Sequence, residues 1–381
     1  MRYYTKVIEL ISKNIAKNPY IKKVIQIGSI NYPGISDIDF ILVAYKAFNY
    51  SQFKKCFSTK EFPLKLRVFY NYLFCHPPLI VFDEILTNMK YLFPIFNYKT
   101  ILGADDNEII ISKEMSENSK LFIIIDLIIR DLPRQFLIPL LSKRINCRVS
   151  LLKLNQLNLL IQLFKEIYPL NDENFNNYKK NLCDLRSTWF KNSKEQNEEM
   201  ILEQILDALH NSFKLIELIN HYLNQNDEIE RNLGNNSPIL FKGRGYETFF
   251  IDNLSMEKSL LLSYKIHQET QNICTFLPKN LSITLLKYSN FNNRFSNYIK
   301  ANLSNISLKV LNTFKNNEIE KRNFYINKHL DWLFRNNFPF GFFHDFGFFN
   351  NTSNKPSFLQ LYRKYILELF QQILLKSFSE I

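Results

Sequence analysis

Apolar positions at the start of the chain recur at helical spacing. Val7, Ile8, Ile11 and Ile15 fall on one stripe, and Asn18-Pro19 closes it. The period then changes. Val24 to Ile27 is a short β-branched run ended by Gly28-Ser29, Tyr32-Pro33-Gly34 carries a turn signal, and Ile38 to Val43 has the character of a buried strand. Further on, the pattern predicts a helical stretch around Phe48–Phe57 and a strand near Leu64–Phe74. After the break at His76-Pro77-Pro78 it predicts a short strand over Leu79–Phe82, then one or two helices between 84 and 102 around Pro94.

Beyond residue 113 the helical period dominates. Helices are expected over Lys120–Leu132, Phe136–Lys143, Val149–Ile167, Glu199–Leu223 and Phe358–Phe378. The Asn-rich stretches Asn171–Lys180 and Lys191–Glu199 read as exposed loops or fraying helix ends, and Asn224–Pro238 as a polar break. The Phe-dense segment Asn337–Phe349 reads as a connector inserted in the core or a loop packed over a groove. The expected fold class is therefore α+β: a mixed domain over 1–113 and a larger all-α region over 114–381.

Composition narrows this picture only a little. The chain has 381 residues, 46% hydrophobic and 22% charged, which permits a packed core and argues against general disorder. Aromatic content of 15% accompanies abundant Ile, Lys and Asn, a bias typical of AT-rich genomes. The net charge of +12 favours polyanionic partners such as nucleotides or RNA, but the basic residues are scattered. Arg130, Arg134, Lys143, Arg144 and Arg148 form a basic cluster that reads as a solvated helix face or a cleft wall. The turn Phe241–Tyr246, with Lys242 and Arg244, reads as a surface turn or a phosphate-facing loop.

Five dispersed cysteines without a C-x-x-C pair suit a reduced compartment, so a cytoplasmic location is expected. Cys75-His76 is a weak metal candidate, with packing the ordinary explanation. The first eighteen residues read as an amphipathic helix rather than a signal peptide, and Leu121–Ile129, interrupted by Asp126, is too short to span a bilayer. Trp189 and Trp332 read as core anchors, and His344-Asp345 as residues of the Phe-rich connector.

The chemistry lies in one stretch, a strand, G-S-x7-D-x-D and a second strand. Gly28 allows a sharp turn and close approach of a ligand to the backbone. Ser29 offers a hydroxyl and an N–H to a phosphate oxygen. On a strand, Asp37 and Asp39 project to one face because the side-chain period is two. Paired carboxylates so close repel unless a cation sits between them, and hard oxygen donors suit Mg²⁺ or Mn²⁺. Ser36 stands next to the pair and can orient it.

This pattern resembles the signature of the DNA polymerase β-like nucleotidyltransferases, a G-S turn followed by an acidic pair on a strand. The resemblance covers about the first hundred residues and is strongest over Val24–Val43. It implies a small mixed sheet with flanking helices. It implies also that Gly28 and Ser29 hold the β/γ-phosphates of an NTP, with ATP the expected one, while Asp37 and Asp39 bind metal. The activity implied is transfer of a nucleoside monophosphate to an acceptor, a small molecule or a protein. Two other readings stay open: nucleotide addition to an RNA 3′ end, and a degenerate domain that binds nucleotide or a partner without turnover.

The interval from Ser29 to Asp37 is shorter than in many members, and the family's third carboxylate has no plain counterpart. At the Leu64–Phe69 strand the alternating positions are Lys65 and Arg67. Asp83 is the candidate catalytic carboxylate, with Glu84 behind it; the alternative for Asp83 is a helix N-cap.

Overall fold

The computed structural model describes residues 2–56, 72–74, 77–92, 97–103, 115–142, 145–189, 198–225, 238–242, 246–252, 254–282 and 317–338. Two compact units divide the chain. The first takes in Met1–Met115 with the described residues beyond Glu320, and the second takes in Ser116–Ile319.

In the first unit, helix α1 (Arg2–Ile15) buries Tyr4, Val7, Ile11 and Ile15 along one stripe. Asn18 stops it. Its N–H returns to the Ile15 carbonyl at 2.8 Å and its side-chain oxygen accepts the Tyr20 N–H at 2.8 Å, which turns the chain into β1 (Ile21–Ile27). A four-stranded sheet follows, with β2 (Asp39–Ala44), β3 (Leu79–Phe82) and β4 (Tyr98–Leu102) in the spatial order β3-β2-β1-β4. β1 is antiparallel to β2 and β4, whereas β2 and β3 run parallel. Helix α2 (Tyr50–Cys56) lies in the β2–β3 connection, the long crossover that parallel neighbours require.

Two expectations are corrected here. Residues 84–102 are not wholly helical: a 3-10 helix (Asp83–Tyr91) is followed by β4. The partner decides β4, because pairing Tyr98 with Ile27 and Thr100 with Ile25 satisfies backbone groups that its weak local pattern leaves undetermined. Of the Leu64–Phe74 strand, only Tyr72 to Phe74 are described, and Tyr72 and Leu73 are helical.

Helix α9 (Asn317–Arg335) brings residues from far along the chain to this unit. Trp332 stacks on Phe82 with ring centroids 5.3 Å apart, and its indole N–H donates to the Lys46 carbonyl at 3.3 Å. Phe338 meets Phe48, Phe53 and Tyr50, while Glu84 joins Lys328 at 2.9 Å and Lys46 at 3.3 Å. The Lys328 and Lys46 ammonium groups hold the Glu84 carboxyl below its ordinary range, the Lys328 hydrogen bond foremost. Trp332 is a core residue, as the sequence suggests.

In the second unit, α3 (Glu117–Asp131) runs through a π-turn (Leu132–Leu137) into α4 (Ile138–Ser142), and α5 (Cys147–Lys165), α6 (Glu173–Thr188) and α7 (Glu198–Gln225) follow. Ser116, Asn146 and Asp172 cap α3, α5 and α6 by accepting the N–H groups of Ser119, Val149 and Asn174. Of the two readings of Asn171–Lys180, loop or helix end, the stretch is the capped start of α6. Its Asp172 cap and the buried stripe Phe175, Tyr178, Leu182 and Leu185 outweigh its polar composition. Trp189 is buried, as expected.

Nor is the region after residue 113 all-α. A second small sheet, β5 (Ile239–Lys242), β6 (Glu247–Ile251) and β7 (Cys274–Pro278), pairs β5 antiparallel and β7 parallel to β6, with helix α8 (Met256–Thr270) in the crossover. In β6 buried Thr248 and Phe250 alternate with half-exposed neighbours, a period of two too short to stand out among helices. The fold is mixed α+β with small mixed sheets. The expected helix Phe358–Phe378 and the segment Pro339–Phe349, with His344 and Asp345, lie outside the described residues.

Candidate functional site

The β1–β2 hairpin assembles the site. In its register Ile27 faces Asp39, Ile25 faces Ile41 and Lys23 faces Val43. Gly28 and Ser29, which follow Ile27, therefore leave the sheet beside the strand that carries the acidic pair, about 5 Å away laterally. Gly28 takes φ +72°, a conformation that favours glycine, and its N–H donates to the Asn97 carbonyl at 3.0 Å. That bond spends the Gly28 donor within the protein and fixes the bend. Ser29 is exposed, and among the described residues its hydroxyl makes no hydrogen bond.

The loop between the two strands is pinned from several sides. Gly34 adopts φ +90°. The Ile35 and Ser36 N–H groups both donate to the Tyr32 carbonyl, at 3.1 and 2.8 Å. The Tyr4 hydroxyl of α1 donates to the Ser36 carbonyl at 2.5 Å and accepts the Gly34 N–H at 2.9 Å, while the Tyr72 hydroxyl donates to the Gly34 carbonyl. Ser36 is buried, and its Oγ accepts the Tyr32 N–H at 3.3 Å. It therefore serves the turn that positions Asp37. On the other side of Asp37, the Ile38 N–H donates to the Leu73 carbonyl at 2.9 Å.

Burial alternates through this segment. Ile38 and Phe40 are fully buried, whereas Asp37 and Asp39 are half-buried. Asp37 stands two residues before Asp39, the first residue of β2. One Asp39 oxygen, Oδ1, is screened from solvent.

Asp83 does not join them. Because β3 runs parallel to β2, with Ile41 facing Leu79 and Ala44 facing Phe82, the residue after Phe82 lies at the far end of β2. Asp39 begins β2, so Asp83 stands six strand positions along, about 20 Å away. There its Oδ1 meets Lys22 Nζ at 2.9 Å. Nor does its side chain cap the 3-10 helix that it opens, whose N-cap position is Phe82. Glu84, its runner-up, is engaged by Lys46 and Lys328.

At the level of Asp39 the neighbouring strands present Ile27 and, beyond it, Tyr98, neither of them acidic. Among the described residues no three His, Cys, Asp or Glu side chains are grouped to hold a metal ion. Asp37 and Asp39 bring two carboxylates to this end of the sheet, hard oxygen donors of the kind that Mg²⁺ or Mn²⁺ takes. They do not form a self-sufficient metal cage. Cys75 and His76 lie outside the described residues.

Among the described residues the other sequence candidates do not form a second site. Arg148 is fully buried in α5, Arg134 is exposed and Arg130 is half-buried, so these three do not make one basic face. Lys143, Arg144 and residues 243–245 of the Phe241–Tyr246 turn lie outside the described residues. Among the described residues no helix is long and apolar enough to cross a membrane. The chain matches no family model, no curated protein and no solved structure.

Proposed function

We propose that the first unit is a metal-dependent nucleotidyltransferase site that takes a nucleoside triphosphate, with ATP the first candidate, together with Mg²⁺. The supporting observation is the hairpin register, in which Ile27, the residue before Gly28-Ser29, faces Asp39. In this reading the Ser29 hydroxyl and backbone hold phosphate oxygens, and the fixed Gly28 bend keeps the backbone clear of them. Asp37 and Asp39 hold the cation, which would offset phosphate charge as the nucleoside monophosphate moves to a small-molecule or protein acceptor. Hydrogen bonds with Tyr4, Ser36 and Leu73 hold the loop backbone on either side of Asp37.

A second reading is a nucleotide binder without turnover. It is favoured by the absence of a third acidic residue on the described strands at the level of Asp39. One pair of measurements separates the two. Full-length protein with Mg²⁺ and ATP labelled at the α-phosphate is expected to bind label reversibly, and to transfer it covalently if the first reading holds. Asp37→Ala with Asp39→Ala should abolish both. Binding or transfer that survives the double substitution would refute the site.

A further inference from the structure

Three strands meet in one row at the end of the first sheet. Asp39 of β2 faces Ile27 of β1, and Ile27 in turn faces Tyr98 of β4. Both pairings are antiparallel, and residues directly opposite in such a ladder put their side chains on the same face of the sheet. Asp39, Ile27 and Tyr98 therefore share one face. All three are half-buried, whereas Ile41 and Ile25, which pair in the next row on that face, are fully buried. The face is closed further along the strands and opens at the row that carries Asp39.

Tyr98 begins β4, the edge strand in the order β3-β2-β1-β4. Its neighbour Asn97 accepts the Gly28 N–H at 3.0 Å, which ties the start of β4 to the glycine bend. Among the described residues the Tyr98 ring stacks on no other ring and its hydroxyl makes no hydrogen bond. An aromatic side chain thus stands at the open end of the sheet without an aromatic partner.

We infer that Tyr98 is the stacking platform for the nucleobase of the triphosphate. This rests on the nucleotide reading above, in which cation and phosphates belong to the acidic pair and Ser29. Two strand spacings, about 10 Å, separate the Asp39 and Tyr98 positions across the sheet, with the apolar Ile27 between them. A nucleoside triphosphate laid along this row, with its phosphates at the acidic end and its ribose over Ile27, brings its base to the aromatic end. A ring takes the π-face of any base without reading its edge. The platform therefore favours a nucleotide over a bare polyphosphate, not one base over another.

Equilibrium binding of ATP and of inorganic tripolyphosphate to the full chain, each with Mg²⁺, tests it. Tyr98→Leu keeps an apolar side chain and removes the ring. It should weaken ATP about fivefold or more and leave tripolyphosphate within about twofold of wild type. Tyr98→Phe should keep both affinities, because the ring remains. Photolabelling of the wild type with 8-azido-ATP needs no variant and carries the test if Tyr98→Leu fails to fold; the label is expected on the β4 peptide that contains Tyr98. The inference would be overturned, with the phosphate site left standing, by equal weakening of both ligands in Tyr98→Leu or by unchanged ATP affinity there. A loss in Tyr98→Phe as large as in Tyr98→Leu, or a label confined to other peptides, would overturn it too. A wild type that binds neither ligand would remove the nucleotide reading itself, and this inference with it.

Discussion

Asp39 faces Ile27 across the loop end of the β1–β2 hairpin, and the backbone bends at the very next residue, Gly28, with φ +72°. The acidic pair and the glycine turn thus form one geometric unit, which can be loosened in two different ways. A Cβ at Gly28 would meet nothing within 4 Å, so Gly28→Ala should cost only the backbone conformation, about 1–2 kcal/mol. Gly103 differs. At φ +96° an added Cβ would lie 2.9 Å from the Lys22 carbonyl oxygen, so Gly103→Ala should lose roughly 1–3 kcal/mol more by overpacking. Urea unfolding should rank Gly103→Ala as the less stable variant, while ATP binding should suffer more in Gly28→Ala. The reverse order in binding would detach Gly28 from the proposed site.

Tyr4 gives a test of positioning. Its hydroxyl both donates to the Ser36 carbonyl and accepts the Gly34 N–H, so Tyr4→Phe leaves two backbone groups of the loop without this partner. A loss of about 1–2 kcal/mol in stability is expected. Because the loop leads directly into Asp37, Mg²⁺-dependent ATP affinity should fall at a temperature where the variant is fully folded. Unchanged affinity would confine Tyr4 to a packing role.

The contrast between what could and could not be read in the sequence follows from the range of the interactions. The alternation of burial around Asp37 and Asp39 was legible because it is local, with buried Ile38 and Phe40 between and beside the half-buried pair. The turn at Gly34 was legible for the same reason. The place of Asp83 was not, because it depends on the direction of β3 relative to β2, a choice made by a crossover whose intervening residues do not encode it. The stacking of Trp332 on Phe82 was hidden similarly, since no local period joins residues so far apart. Strand β4 and the second sheet were missed because runs of four or five residues acquire their state from their partners.

His329 makes the first unit sensitive to acid. Fully buried beside the rings of Phe82 and Trp332, it has its pKa pushed down to about 3 by desolvation, from an ordinary 6.5. The unfolded chain therefore binds the extra proton between those two values and the native state does not. The associated stability is complete above about pH 6.5 and is lost progressively as pH falls toward 3. Moving from pH 7.5 to pH 5 should remove about 2 kcal/mol through this residue alone. His329→Phe should flatten the slope between pH 5 and 7, where the ion-paired Glu84 stays charged. Parallel slopes for wild type and variant in urea titrations would exclude His329 as the source.

Asp83 separates the hairpin site from a third-carboxylate site most sharply. It pairs with Lys22 at 2.9 Å, with both side chains about a third exposed (34% and 39%). Such an exposed pair contributes about 0–1 kcal/mol, so Asp83→Asn should scarcely move the unfolding midpoint. Its place at the far end of β2, about 20 Å from Asp39, also removes it from direct contact with a cation held by the acidic pair. Mg²⁺-dependent ATP affinity should then stay within about twofold of wild type, and any covalent transfer of label should continue, while Asp39→Asn loses both. If Asp83→Asn instead abolished transfer yet left binding intact, Asp83 would have to approach the acidic pair during turnover. The parallel register of Phe82 against Ala44 forbids that unless β3 leaves the sheet.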